Sequence, residues 1–413
     1  MTTYYVDCDA AGGGDGSVGS PYDAVSVAEA AQNGTFTDVI RFLCSASAGG
    51  KDTVGTFVWG GDQTAAYYLL IQAADGHRAS AQWNPNIYGI EISGSAVNCI
   101  AIGDDYCRVD GIQGRVTAST GNYNGCFVTT TNQSATNRVD FTNLLALGPV
   151  SDNTYSFTCY NNADPDGVMN LVNCVGRIVT TTDSNRTCVT SAGTTLNLYN
   201  CTFIGGQYAV QARSGCVVNC RNVYAAGSGN EAFYRRDTAT LNKVNCASSD
   251  GTADDTDAYT TASNCLVNVP LDATTLLDPL NATVLSRDYH LAGVDSDLYG
   301  AGVAPGGSDP LNYTTDIDGD TIGVGGRYDI GVDWFVAAGG GQIARPVSDV
   351  SVGGWTASSG TDRYAMVDEE TASDADYITS GAAPANDECV LALGALSTPD
   401  AGTVTLRVRA KYV

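Results

Sequence analysis

The chain has 413 residues, 43% of them apolar and 16% charged, a folded composition with the length for a large core or several domains. Its 45 Asp and Glu against 20 Lys and Arg leave a net charge of −25, which argues against nucleic acid and anionic membrane as partners. Apolar runs such as residues 65–74 are far too short to cross a bilayer, so no transmembrane segment is expected.

Met1-Thr2-Thr3-Tyr4-Tyr5 carries neither a basic region nor an apolar stretch, so it reads as the start of a strand and no secretory signal is expected. Residues 22–32, rich in Ala and Val, have the length of one short helix, and helical periodicity is nearly absent after residue 35. Asp104-Asp105 and Asp164-Pro165-Asp166-Gly167 read as turns. Six Asn-x-Ser/Thr strings, at Asn33, Asn132, Asn185, Asn200, Asn281 and Asn312, are the chance product of a chain rich in Asn and Thr.

The 14 cysteines need a reason. A disulfide framework belongs to small secreted domains, and zinc wants paired Cys or a Cys and His cluster. The close pair Cys216 and Cys220 has no matching second pair, and the chain has only two His, His77 and His290, both read as packed or surface residues. The neighbours of the cysteines give the better account. Asn precedes Cys at Asn98-Cys99, Asn173-Cys174, Asn200-Cys201, Asn219-Cys220, Asn245-Cys246 and Asn264-Cys265, and the last five pairs are spaced 27, 19, 26 and 19 residues apart. Short alternating runs surround these pairs, as in residues 196–203, closed by Gly205-Gly206. Such a drifting repeat of strands and turns predicts a parallel β-solenoid. Equivalent residues of successive coils then stack about 4.8 Å apart, so the cysteines form a reduced core ladder and the asparagines an amide ladder beside it.

Tyr4-Tyr5-Val6-Asp7, the glycines between 12 and 16, Gly19-Ser20-Pro21-Tyr22 and the Ala-rich helix resemble the opening of right-handed parallel β-helix proteins of the pectate-lyase-like class. In that class the helix caps the first coil and blocks its open edge. Tyr289-His290-Leu291-Ala292, residues 300–303, Asp316-Ile317-Asp318-Gly319 and residues 328–333 are similar to the last coil of such proteins, so the resemblance covers residues 4–336. It implies a solenoid of about a dozen coils, about 60 Å long at that stacking distance.

Residues 337–345 have the Gly-rich composition of a linker. Beyond them, short strand signals around Asp349, Trp355, Tyr364, Tyr377, Cys389 and residues 404–413 predict a small antiparallel β-sandwich or jelly-roll-like module. Its Trp, Asp-Glu, Asp-Tyr-Ile and terminal Arg-Val-Arg-Ala-Lys pattern resembles a carboxy-terminal module of tailed-bacteriophage structural proteins. The expected fold is therefore all-β: amino-terminal strand and capping helix in residues 1–35, parallel β-helix in 36–336, linker in 337–345 and β module in 346–413.

Enzymes of this class set Asp, Glu, Arg or Lys on one exposed sheet. The Gly-His-Gly and Arg-Ile-Lys strings of polygalacturonase-like sites do not occur here, and with only three Lys a lyase base would rest on Arg. The best carboxylate constellation is Glu231, Arg235, Arg236 and Asp237 with Asp254, Asp255 and Asp257 about one coil later. Residues in adjacent coils are able to supply the 5–9.5 Å separation of a glycosidase pair, yet a solvated loop with internal ion pairs explains them more simply. Asp316, Asp318 and Asp320 resemble the first part of a calcium loop but lack its register and its downstream Glu; calcium there is the weak candidate, and no cofactor is otherwise expected.

Two functions from different classes follow. The resemblances imply a non-enzymatic virion protein of a tailed bacteriophage, a capsid decoration or head fibre, or a tail spike or fibre, assembled in the host cytoplasm. Its partners would be other virion proteins and copies of itself, trimers being the family habit, with bacterial glycans bound on Tyr and Asp faces. The alternative is a polysaccharide-degrading tailspike, a glycosidase or lyase; a bacterial surface adhesin is weaker.

Overall fold

The structure, a computed structural model, describes residues 1–32, 37–52, 63–93, 98–103, 106–118, 124–129, 138–148, 154–160, 167–178, 187–192, 194–306, 313–335, 346–366, 377–380 and 389–393. The chain divides into two compact units, Met1–Phe335 and Val336–Val413. Residues 337–345, Asp104-Asp105 and residues 164–166 lie outside the described residues.

The first unit is a parallel β-helix. Its described strands form sheets of ten, seven and six strands, and neighbours within each come from successive coils. One coil shows the pattern: Val168–Val172 in the first sheet, Val175–Arg177 in the second and Thr187–Ala192 in the third, before Thr195–Tyr199 pairs in parallel with Val168–Val172. Strand alternation selects the core. In Thr195–Tyr199 the buried residues are Leu196 and Leu198, and in Val217–Arg221 they are Val218 and Cys220. Phe127, Phe157 and Phe203 fill the centre, with ring centroids 5.5 Å apart for the first pair and 6.1 Å for the second. Gly176 makes room for them, since a Cβ there would lie 2.8 Å from the Phe203 ring.

The amino-terminal end of the stack is closed locally. The outer edge of Thr2–Asp7 is covered by residues 16–22, through bonds from Tyr5 N to Gly16 O, Tyr22 N to Tyr5 O and Asp7 N to Tyr22 O. The helix, α1 (Val25–Gln32), adds Val25 and Ala28 to the core, and its first amide donates to the buried Asp52 carboxylate at 2.9 Å. One strand before the last of the first sheet, Lys243 takes the inward position that Leu198 and Cys220 hold in earlier coils. It is 1% exposed, lies over the Phe233 ring at 5.5 Å and donates to the carbonyls of Thr252 and Asp255.

Two asparagine ladders run up the first sheet. On its outer face Asn170 donates to Asp140 at 2.8 Å, Asn197 to Asn170 at 2.8 Å, Asn219 to Asn197 at 2.9 Å and Asn242 to Asn219 at 2.9 Å. In the turn that follows each strand, Asn143, Asn173, Asn200, Asn222, Asn245 and Asn264 all have φ between 48° and 55°, a left-handed conformation that Asn tolerates. Cys174, Cys201, Cys246 and Cys265 come directly after this turn, and Val223 takes the same place after Asn222. The Asn219-Cys220 pair therefore belongs elsewhere: both residues are in the strand, three positions early, and Asn222 is the true equivalent of Asn200. With Asn222 in the series the coils shorten overall, the spacings being 30, 27, 22, 23 and 19 residues from Asn143 to Asn264. The twelve cysteines whose side chains are described are free thiols.

The solenoid is shorter than the sequence implies, because beyond the parallel bridge of Leu266 to Ala247 the described residues up to 335 do not continue as coils. Ten strands at about 4.8 Å span roughly 45 Å. The remaining segment forms an antiparallel pair, Leu276–Asp278 with Asp288–Leu291, and then lies along the outside of the solenoid. Its Leu276, Tyr289, Leu291, Leu298, Ile317, Ile330 and Val332 cluster with the outer Leu145, Leu147, Val175, Ile204 and Tyr224 of the second sheet. The turn asparagines dock it. Asn245 donates to Ala301 O at 2.9 Å, Asn222 to Val303 O at 2.8 Å and Asn173 to Thr315 O at 2.7 Å, while Tyr313 donates to Asn200 at 2.8 Å. From Ala301 to Thr315 the contacts move to earlier coils, so this stretch runs back down the stack as a strap. The residues that resemble a last coil are this strap.

In the second unit, Pro346–Ser351 pairs antiparallel with Val390–Leu393, and Thr356–Ala357 with Ile378–Thr379. Asp349 accepts the amides of Arg363 and Tyr364 at 2.9 and 2.7 Å. Residues 367–369, 374–376 and 404–413, which carry much of the phage-module resemblance, lie outside the described residues.

Candidate functional site

The Glu231 constellation lies on the last strand of the third sheet, Glu231–Arg235. That strand is an open edge, and the following loop satisfies part of it: Ala232 N donates to Asp250 Oδ2 at 2.8 Å and Phe233 N to Thr252 Oγ1 at 3.0 Å. Glu231 pairs in register with Tyr208, and the Tyr208 and Tyr234 rings stack at 4.0 Å with an interplanar angle of 11°. Partial burial raises the Glu231 carboxyl, and Asp250 and Asp255 raise it further.

The other members of the constellation are separately engaged. Arg235 binds Asp257 at 2.6 Å, donates to Asp237 O at 2.6 Å and covers the Tyr259 ring at 5.4 Å. The Tyr259 amide and then Arg235 pull the Asp257 carboxyl down to about 2. Arg236 and Asp237 form an exposed pair at 3.7 Å, and Asp254 is exposed. The predicted set thus separates into an ion-paired latch and a second group of Glu231, Asp250 and Asp255 beside two stacked tyrosines. Sequence reasoning missed Tyr208, Tyr234 and Asp250; Tyr234 is in register with Gln211, so no aromatic repeat marks the pair.

The three calcium candidates are not brought together as a cage. Asp316 is 1% exposed and its oxygens accept the amides of Asp318 at 3.0 Å, Asp320 at 2.9 Å and Trp334 at 3.0 Å. It staples a turn. Asp318 points instead to His290, and the exposed Asp320 supplies its amide to that turn.

Three parallel sheets joined in register coil by coil define a parallel β-helix protein. No family model matches the sequence, and no curated protein matches it. Among solved structures the chain is similar to pectate lyase Pel9A, at 14% identity and a TM-score of 0.40, over 80% of this chain and 96% of that one. The fold assignment rests on the sheets themselves.

Proposed function

We propose that this protein is a non-enzymatic structural component of a tailed-bacteriophage particle, displayed on its surface, and that it binds glycan around Tyr208, Tyr234 and Glu231. The observation that supports the rod-like role is how the polar groups are used. The asparagine ladders bond to one another and to the strap, so they stiffen the solenoid rather than face a ligand. The Glu231 edge differs, because it joins partly exposed aromatic rings to carboxylates, the combination that stacks on sugar rings and accepts their hydroxyls. The carboxy-terminal unit would attach the solenoid to the particle or to sister subunits.

Immunogold electron microscopy of particles with an antibody to this chain tests the first part, and labelled surfaces are the expected result. A panel of bacterial surface polysaccharides tests the second. Tyr234→Ala should weaken binding about tenfold, the equivalent of roughly 1.4 kcal/mol. The raised Glu231 carboxyl favours one second reading, a depolymerase with Glu231 as acid. That reading requires reducing ends from the wild type and none from Glu231→Gln.

A further inference from the structure

We infer that His290, Asp318 and Asp333 bind one divalent transition-metal ion of the zinc or manganese kind, on the strap rather than on the solenoid sheets. Three separate stretches of chain bring these residues together. In Asp288–Leu291, Tyr289 and Leu291 are buried, which leaves Asp288 and His290 on the outer side of the strand. The Asp316 turn aims Asp318 at that side, since Asp316 accepts the Asp318 amide. The third stretch is tied to both others: Trp334 N donates to Asp316 Oδ2 at 3.0 Å, and Leu291 N to Asp333 Oδ2 at 2.8 Å.

One ligand atom from each of His290, Asp318 and Asp333 lies within 4.8 Å of the other two, and Nε2 of His290 is 2.9 Å from Asp318 Oδ2. The other ring nitrogen, Nδ1, is held by Asp288. A carboxylate behind the histidine is the arrangement that fixes the ring and raises its basicity in metal sites. On binding, Nε2 releases its proton to solvent and donates its lone pair to the ion, while the proton on Nδ1 stays with Asp288. The half-buried Asp288 on the other ring nitrogen makes three carboxylates around one imidazole, an excess of negative charge that a divalent ion offsets. One nitrogen and two oxygens suit zinc or manganese, whereas calcium takes oxygens alone. Asp318 is exposed, so an ion has a way in and water completes its shell.

The test is titration calorimetry of the full chain after chelator treatment, with Zn²⁺, Mn²⁺ and Ca²⁺ in separate runs, and the visible absorption of added Co²⁺. The expected result is one Zn²⁺ or Mn²⁺ per chain, bound in preference to Ca²⁺, and a Co²⁺ spectrum with nitrogen ligation. Asp318→Asn and His290→Gln should each weaken binding at least tenfold, Asp288→Asn by 10–100-fold, and the exposed Asp254→Asn not at all. Asp318 is at the surface, so D318N decides the matter if H290Q does not fold. Absence of saturable one-to-one binding, or equal affinity in D318N and wild type, overturns the assignment; so does a preference for Ca²⁺ that H290Q leaves intact.

Discussion

Asn222→Ala is the sharpest test of how the strap is held. The side chain is fully buried at a φ of 54°; its amide donates to Asn200 Oδ1 at 2.9 Å and Val303 O at 2.8 Å, and its oxygen accepts from Val303 N at 2.8 Å. Asn200 Oδ1 keeps Tyr313 as a donor, so the groups truncation leaves without a partner are chiefly the two backbone groups of Val303. Each such group costs about 1–3 kcal/mol when left unpaired; Val303 is partly exposed, which favours the low end, roughly 2–4 kcal/mol for both. Alanine in a left-handed conformation adds about 1–2 kcal/mol. The total is roughly 3–6 kcal/mol, and Asn222→Gly should recover about 1 kcal/mol because glycine bears no left-handed penalty. The strap can open without unfolding the coils, so the assay is hydrogen exchange at the Val303 amide, alongside urea denaturation. Exchange at Val303 unchanged in N222A would refute the docking role, and N222G as damaging as N222A would refute the backbone contribution.

Phe157→Ala removes a ring from the central stack, and urea denaturation should register a loss of about 3–5 kcal/mol. Burial pushes the Asp110 carboxyl up, but Arg78, bound through both oxygens at 2.8 and 2.9 Å, then Asn143 and Gln72 outweigh it and hold it below the usual range. A depressed carboxyl stabilises the fold fully above its unfolded value near pH 3.9 and loses that contribution as pH falls through the folded value. Asp110→Asn should therefore cost about 3 kcal/mol at pH 7 and progressively less below pH 4, read from denaturation midpoints at the two pH values. Cys8 and Cys265 are both half-buried, yet their thiols differ. Burial, then Asp9, Asp52 and Asp7, push Cys8 up to about 12, whereas a hydrogen bond from the Cys246 thiol lowers Cys265. Iodoacetamide at pH 7.5 should label Cys265 well before Cys8, and peptide mapping that finds the reverse order would contradict this.

Much of the solenoid was legible because its repeat is written in residue types that serve one local purpose. Asparagine tolerates the left-handed turn, and the small apolar residue after it packs inward, so Asn-Cys at 173, 200, 245 and 264 marks the end of a first-sheet strand, whereas Asn98-Cys99 opens a strand of the third sheet. The same dipeptide at Asn219-Cys220 misleads because a strand also alternates outward and inward: Asn219 joins the outer amide ladder while Cys220 points to the core. Both ladders use Asn, three residues apart, and a dipeptide cannot tell them apart. Register can, and register appears only when Asn197, Asn219 and Asn242 are seen to be partners. Lys243 hid for a related reason, since its inward position, one strand before the last of the first sheet, is near the carbonyls of Thr252 and Asp255.

The strap explains why the site residues were harder to read than the fold. Its pattern resembles a last coil because it too alternates buried and exposed residues, but its buried residues meet the outside of the second sheet. An outer apolar layer of Leu145, Leu147, Val175 and Ile204 is what makes this possible, and in sequence those residues are indistinguishable from core. Once the strap is recognised as running back along the stack, His290, Asp318 and Asp333 are no longer members of one coil. They belong to three passes of the strap, separated in sequence by 28 and 15 residues and joined by bonds from Leu291 and Trp334. No spacing rule finds such a cluster. The signal that was present is weaker and chemical: a chain with only two His places one of them two residues after an Asp, in a strand whose neighbours are buried, and a polar residue on that outer side needs partners from elsewhere in the chain.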